Sequence, residues 1–105
     1  MVIKYQADID NEAIKANLKR ITNQIYKLLP NREEGIDWET PLSTIMEELS
    51  GINRLFCGQQ EVLFSLLSKL EGLFVLTGEE NFFLYRRTIF ECLSLMNSLI
   101  NQCLD

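Results

Sequence analysis

The chain has fifteen carboxylates, ten lysines and arginines, and three thiols to perform chemistry with, and it contains no histidine. That absence removes the commonest general base and the commonest transition-metal ligand. Cys57, Cys92 and Cys103 therefore have no imidazole to activate a thiolate, and no serine sits in a nucleophile-elbow pattern. The glycines, Gly35, Gly51, Gly58, Gly72 and Gly78, stand singly, so no glycine-rich loop is available to cradle a phosphate.

Carboxylates remain as the one metal chemistry to weigh. Glu33, Glu34, Glu47 and Glu48 could hold magnesium, as carboxylates repeated along helices do in all-helical nucleotide pyrophosphohydrolases. Within the helical segments of this chain, however, no Glu-x-x-Glu or Glu-x-x-Asp pair puts two carboxylates one turn apart on one face. The expectation is no catalytic residue, no cofactor and no metal site, with a divergent metal-dependent nucleotide pyrophosphohydrolase as the remote alternative.

Binding chemistry is better represented. The net charge is −5, and the acidity is concentrated: residues 31 to 61 carry seven acids against two bases, while residues 1 to 30 carry five bases against three acids. Glu33, Glu34, Asp37 and Glu39 flank the only tryptophan, Trp38, in the connection after the first helix. Carboxylates steer toward a basic partner and disfavour a phosphate backbone, while a tryptophan can serve as a desolvated anchor or fold the loop onto the core. Arg86 and Arg87, set among Phe82, Phe83, Tyr85 and Phe90, form a second candidate surface. Two arginines are a thin nucleic-acid patch in an acidic chain, so pairing with Glu79, Glu91 or the loop carboxylates is the competing expectation.

The elements that must position these residues follow from periodicity. Ile3, Tyr5, Ala7 and Ile9 alternate with polar residues, which predicts an extended N-terminal arm over residues 1–9. Ile14, Leu18, Ile21, Ile25 and Leu28 repeat at spacings of four and three, which predicts a helix over about 10–29 that Pro30 ends. Residues 30–40 then read as an irregular connection of about ten residues. Thr40 followed by Pro41 predicts the N-cap and first position of a second helix over about 41–56, in which Gly51 is expected to admit a close neighbour. A wide apolar arc from Val62 to Phe74 predicts a third helix over about 59–76. Thr77-Gly-Glu-Glu80 has the spacing of a capping box, ahead of a fourth helix over about 79–102 with Phe83 and Phe90 on a flank.

The fold class predicted is all-α: a four-helix bundle, mostly antiparallel, in one domain of 105 residues with an extended N-terminal arm. A composition of 47% hydrophobic and 24% charged residues suits an ordinary globular domain. The apolar-rich stretch from Val62 to Leu76 still carries Lys69 and Glu71, so no membrane span is expected. The start of the chain has neither a basic segment nor an apolar one of the secretory kind, which predicts a cytoplasmic protein. Three cysteines, odd in number and embedded in apolar sequence, are expected to be reduced thiols.

The segments Arg20 to Ile45, Ser68 to Leu73 and Tyr85 to Leu93 resemble small proteins of phages and prophages of Gram-positive bacteria. The resemblance spans most of the chain. It implies a genomic setting without an assigned activity, hence an accessory protein, of the host-takeover or anti-defence type, in preference to a metabolic enzyme. The expected function is a non-enzymatic macromolecule-binding protein, with a basic protein surface as partner and Glu33, Glu34, Asp37, Trp38, Glu39, Arg86 and Arg87 as contact residues. The alternative is a homo-oligomeric assembly bundle. A homodimer is expected from the surplus apolar surface of the arm and of Phe83 and Phe90, and direct nucleic-acid binding is not.

Overall fold

The computed structural model describes residues 11–52 and 60–102. Four helices occupy them: α1 (Asn11–Glu33), α2 (Glu39–Ile52), α3 (Gln60–Leu73) and α4 (Phe82–Gln102), with a 3-10 turn over Glu79–Asn81 leading into α4. Among the described residues there is no strand. The arm over residues 1–9, Cys57 and Cys103 lie outside the described residues.

Each helix buries one stripe. Ile14, Leu18, Ile21, Ile25 and Leu28 of α1 meet Leu42, Ile45, Leu49 and Ile52 of α2, and α3 adds Leu63, Leu66, Leu70 and Leu73 to the same core. From α4 come Tyr85, Ile89, Cys92, Met96, Leu99 and Ile100. Spacings of three and four keep each set on one side of its helix, so all four stripes close on a shared interior. The helices pack in a ring, α1 on α2 and α4, and α3 on α2 and α4. Neighbours run antiparallel: Arg20 of α1 reaches Glu48 of α2 at 2.6 Å, and Lys69 of α3 reaches Glu91 of α4 at 3.2 Å. The Tyr85 hydroxyl near the start of α4 points to the Leu28 carbonyl near the end of α1 at 3.5 Å.

Several boundaries depart from the periodicity. Pro30 does not end α1, which runs on to Glu33 with the proline inside it. A proline inside a helix costs about 3 kcal/mol through its missing donor and its ring. Here only one further turn is needed, and that turn is held by the buried Leu28 and by hydrogen bonds from Arg32 to another part of the chain. The stop is set by Gly35, at φ +74°. Its amide donates to the Arg32 carbonyl at 3.2 Å and that of Ile36 to the Asn31 carbonyl at 2.8 Å, the paired bonds of a Schellman motif.

The second helix starts at Glu39, so the connection from α1 is five residues, 34 to 38, half the expected length. Its start is capped by Asp37 and not by Thr40: the Asp37 carboxylate accepts from the Glu39 amide at 3.0 Å and the Thr40 amide at 3.2 Å. A carboxylate outcompetes a hydroxyl as acceptor for the orphan amides of a first turn. Gly51 is exposed, and a β-carbon there would meet nothing within 4 Å, so it admits no close neighbour.

The capping box at 77–80 does not form either. Gly78, at φ +86°, swings the chain so that a 3-10 turn begins at Glu79, with no side-chain cap on its first amides. The Asn81 side-chain amide instead donates to the Thr77 carbonyl at 2.7 Å.

Candidate functional site

One end of the bundle gathers the last turn of α1, the first turn of α2, the turn after α3 and the start of α4. Arg32 holds these pieces together. Its Nη2 donates to the carbonyls of Leu76 and Gly78, both at 2.8 Å. The guanidinium lies 4.6 Å from the Tyr85 ring centroid and 5.4 Å from that of Phe82. Its Nε is buried without a hydrogen-bond partner among the described residues, facing π-surface instead of an acceptor.

Trp38 completes this cluster. Its ring is 5.0 Å from Tyr85, edge to face, and 6.5 Å from Phe74, stacked, and it is half-buried against the core. Large apolar area draws it inward, so the tryptophan anchors the short connection to the bundle. Burial pushes the Tyr85 hydroxyl above its ordinary pKa of 10.0, with Arg32 acting in the opposite sense. Asp37 is likewise engaged within the fold: the Thr40 hydroxyl, then the amides of Thr40 and Glu39, hold its carboxyl below the usual 3.8. Glu34 and Asp37 are one turn apart in number but lie between helices, so they do not form a helical carboxylate pair.

Glu33, Glu34, Asp37 and Glu39 all stand exposed at this end; Asp37 already caps α2 and Trp38 is half-buried, which leaves Glu33, Glu34 and Glu39 as the uncommitted carboxylates of the expected site. Glu79 and Glu80 join them from the turn between α3 and α4. None of these five makes an ion pair among the described residues. Exposed apolar side chains share the same end: Ile36, Val75 at 75% exposure, Leu84, and Phe83 at 81%. Two open clefts flank Arg32. One of about 300 Å³ is bordered by Trp38, Glu39 and Glu79, and the other, of about 440 Å³, by Glu33, Glu79 and Phe82. Among the described residues, no group of three or more cysteines or carboxylates is close enough to hold a metal ion.

Arg86 and Arg87 stand apart from that cluster, exposed on the outer face of α4. Arg86 lies over the Phe90 ring at 5.2 Å, and Arg87 Nε is 3.6 Å from Glu91, which also holds Lys69. Cys92, on the opposite, buried face, is a free thiol whose pKa is pushed up from 9.0 to about 12, chiefly by burial.

Glu79 and Glu80 join this end through antiparallel packing, which brings the turn after α3 beside the one after α1, and Arg32 could not be singled out because a lone arginine at a helix end has no sequence signature. No helix among the described residues is long and apolar enough to cross a membrane. The chain matches no known protein family, no curated protein and no solved structure.

Proposed function

We propose that this is a macromolecule-binding accessory protein that engages a basic protein surface through the acidic end of its bundle. The observation that carries this reading is the meeting, at one end, of five unpaired carboxylates with exposed Ile36, Val75, Phe83 and Leu84. Apolar groups rimmed by charge suit a protein contact: the apolar centre supplies affinity, and the carboxylates supply steering and partner choice. The clefts beside Arg32 offer Glu39 and Glu79 to a lysine or arginine inserted by the partner. The resemblance to small phage and prophage proteins supports a setting of host takeover or anti-defence.

The test is capture of partners from an infected or lysogenic host with the parent protein and with a Glu33→Gln/Glu34→Gln/Glu39→Gln variant. A specific partner retained by the parent at low salt, lost at high salt and lost by the variant at unchanged melting temperature supports the reading. A partner bound equally by both proteins places the contact elsewhere.

A further inference from the structure

The outer face of α4 and the turn before it carries a charge order with a consequence for assembly. Glu79 and Glu80, Phe83, Arg86 and Arg87, and Phe90 follow at steps of three and four, so they fall on one exposed side, acidic first, aromatic next, basic last. Phe83 is 81% exposed and Phe90 44%, with only Arg86 lying over the latter. Among the described residues, Glu79 and Glu80 have no ion-pair partner.

We infer that this face pairs with the same face of a second copy, antiparallel, about a two-fold axis through Phe83. In that register residue i faces the residue whose number completes 166. Phe83 then meets its own symmetry mate on the axis, while Glu80 meets the partner's Arg86 and Glu79 the partner's Arg87, each of these two ion pairs occurring twice. Other arrangements lack this match. Parallel pairing sets glutamates on glutamates and arginines on arginines. An antiparallel pairing centred between Phe83 and Phe90 opposes Arg86 to the partner's Arg87. The pattern is self-complementary in this register, with both glutamates opposite arginines, and repulsive in these two alternatives, which is how paired helices specify a partner. From Glu79 to Phe90 the contact runs about 17 Å along the axis, a small interface of the kind found in weak, reversible association.

Sedimentation of the purified protein over about 1 to 200 µM tests the inference, because a dimer of this kind is governed by mass action. The expected result is a shift from 12.2 kDa to twice that mass, weakened by salt. Two charge-reversed variants sharpen it: Glu79→Arg/Glu80→Arg makes the face wholly basic, and Arg86→Glu/Arg87→Glu makes it wholly acidic. Each alone is expected to be monomeric, with dimerisation weakened at least about tenfold, while a one-to-one mixture forms a heterodimer because all four contacts are then complementary. Phe83→Asp, at an exposed position, is expected to be a folded monomer. A parent protein that stays monomeric throughout, or charge-reversed variants that dimerise as well alone as mixed, overturns the inference. The pairing occupies Glu79, Glu80 and Phe83, so a basic partner that uses them would bind the dissociated copy; Glu33, Glu34 and Glu39 take no part in the pairing, and the sedimentation outcomes involve no other protein, so failure of the dimer leaves the partner contact at those three residues untouched.

Discussion

Arg32→Met tests whether the acidic end is built around one side chain. The substitution keeps most of the aliphatic stem and removes the guanidinium, so it deletes two hydrogen bonds to the carbonyls of Leu76 and Gly78 and two ring contacts, with Tyr85 and Phe82. A charged hydrogen bond contributes about 1.5 to 3 kcal/mol when buried, but the Gly78 contact is exposed and the Leu76 contact only part-buried, so about 1 kcal/mol each is appropriate. The ring contacts add about 0.5 kcal/mol apiece at this level of exposure. Removing the unpartnered Nε recovers part of this, leaving a net loss of about 2 kcal/mol. For a domain of this size that loss lowers the melting temperature by roughly 10 °C. Trp38 is the only tryptophan and belongs to the same cluster, so its fluorescence should shift to the red as the connection loosens. Arg32→Lys keeps the charge and a donor but loses the planar guanidinium that lies over the Tyr85 and Phe82 rings, and should cost about half as much. If Arg32→Met melts within about 2 °C of the parent with unchanged Trp38 emission, Arg32 is a surface residue and does not hold this end together.

Other expectations follow from burial and capping. Leu66→Ala or Leu70→Ala, at positions with no exposed surface, should each cost about 2 to 5 kcal/mol in denaturant unfolding; a loss below about 0.5 kcal/mol would show that α3 does not face the core. Asp37→Ala should lower the melting temperature, whereas Asp37→Asn, which keeps an acceptor for the Glu39 and Thr40 amides, should not; equal melting of the two variants would remove the capping role. The third expectation concerns alkaline pH. Cys92 titrates near 12 in the fold against 9.0 unfolded, and Tyr85 is raised in the same sense, so between these values the unfolded chain binds fewer protons. Stability is therefore full below about pH 9 and falls as pH rises toward 12, with a shallower fall in Cys92→Ala; a flat profile from pH 8 to 11 contradicts the burial of both groups.

The sequence by itself determined the helices and the faces they bury. The stripe Ile14, Leu18, Ile21, Ile25 and Leu28, and its counterparts on the other helices, are core residues because a period of 3.6 leaves one side of each helix to remove from water. The carboxylates Glu33, Glu34 and Glu39 and the arginines Arg86 and Arg87 were legible as surface charge for the same reason in reverse. Tertiary structure decided the ends of the helices and the composition of the acidic end. Local preference places a stop at Pro30 and a cap at Thr40, but α1 continues because Arg32 gains two carbonyls and two aromatic rings beyond it. Trp38 turns inward because Phe74 and Tyr85, far along the chain, offer a place to bury it. Glu79 and Glu80 join Glu33, Glu34 and Glu39 only because antiparallel packing brings the turn between α3 and α4 beside the one between α1 and α2. Periodicity is a property of neighbours in sequence and survives as such in the fold, whereas these choices depend on free energies of contact between residues some forty positions apart, which no local pattern encodes.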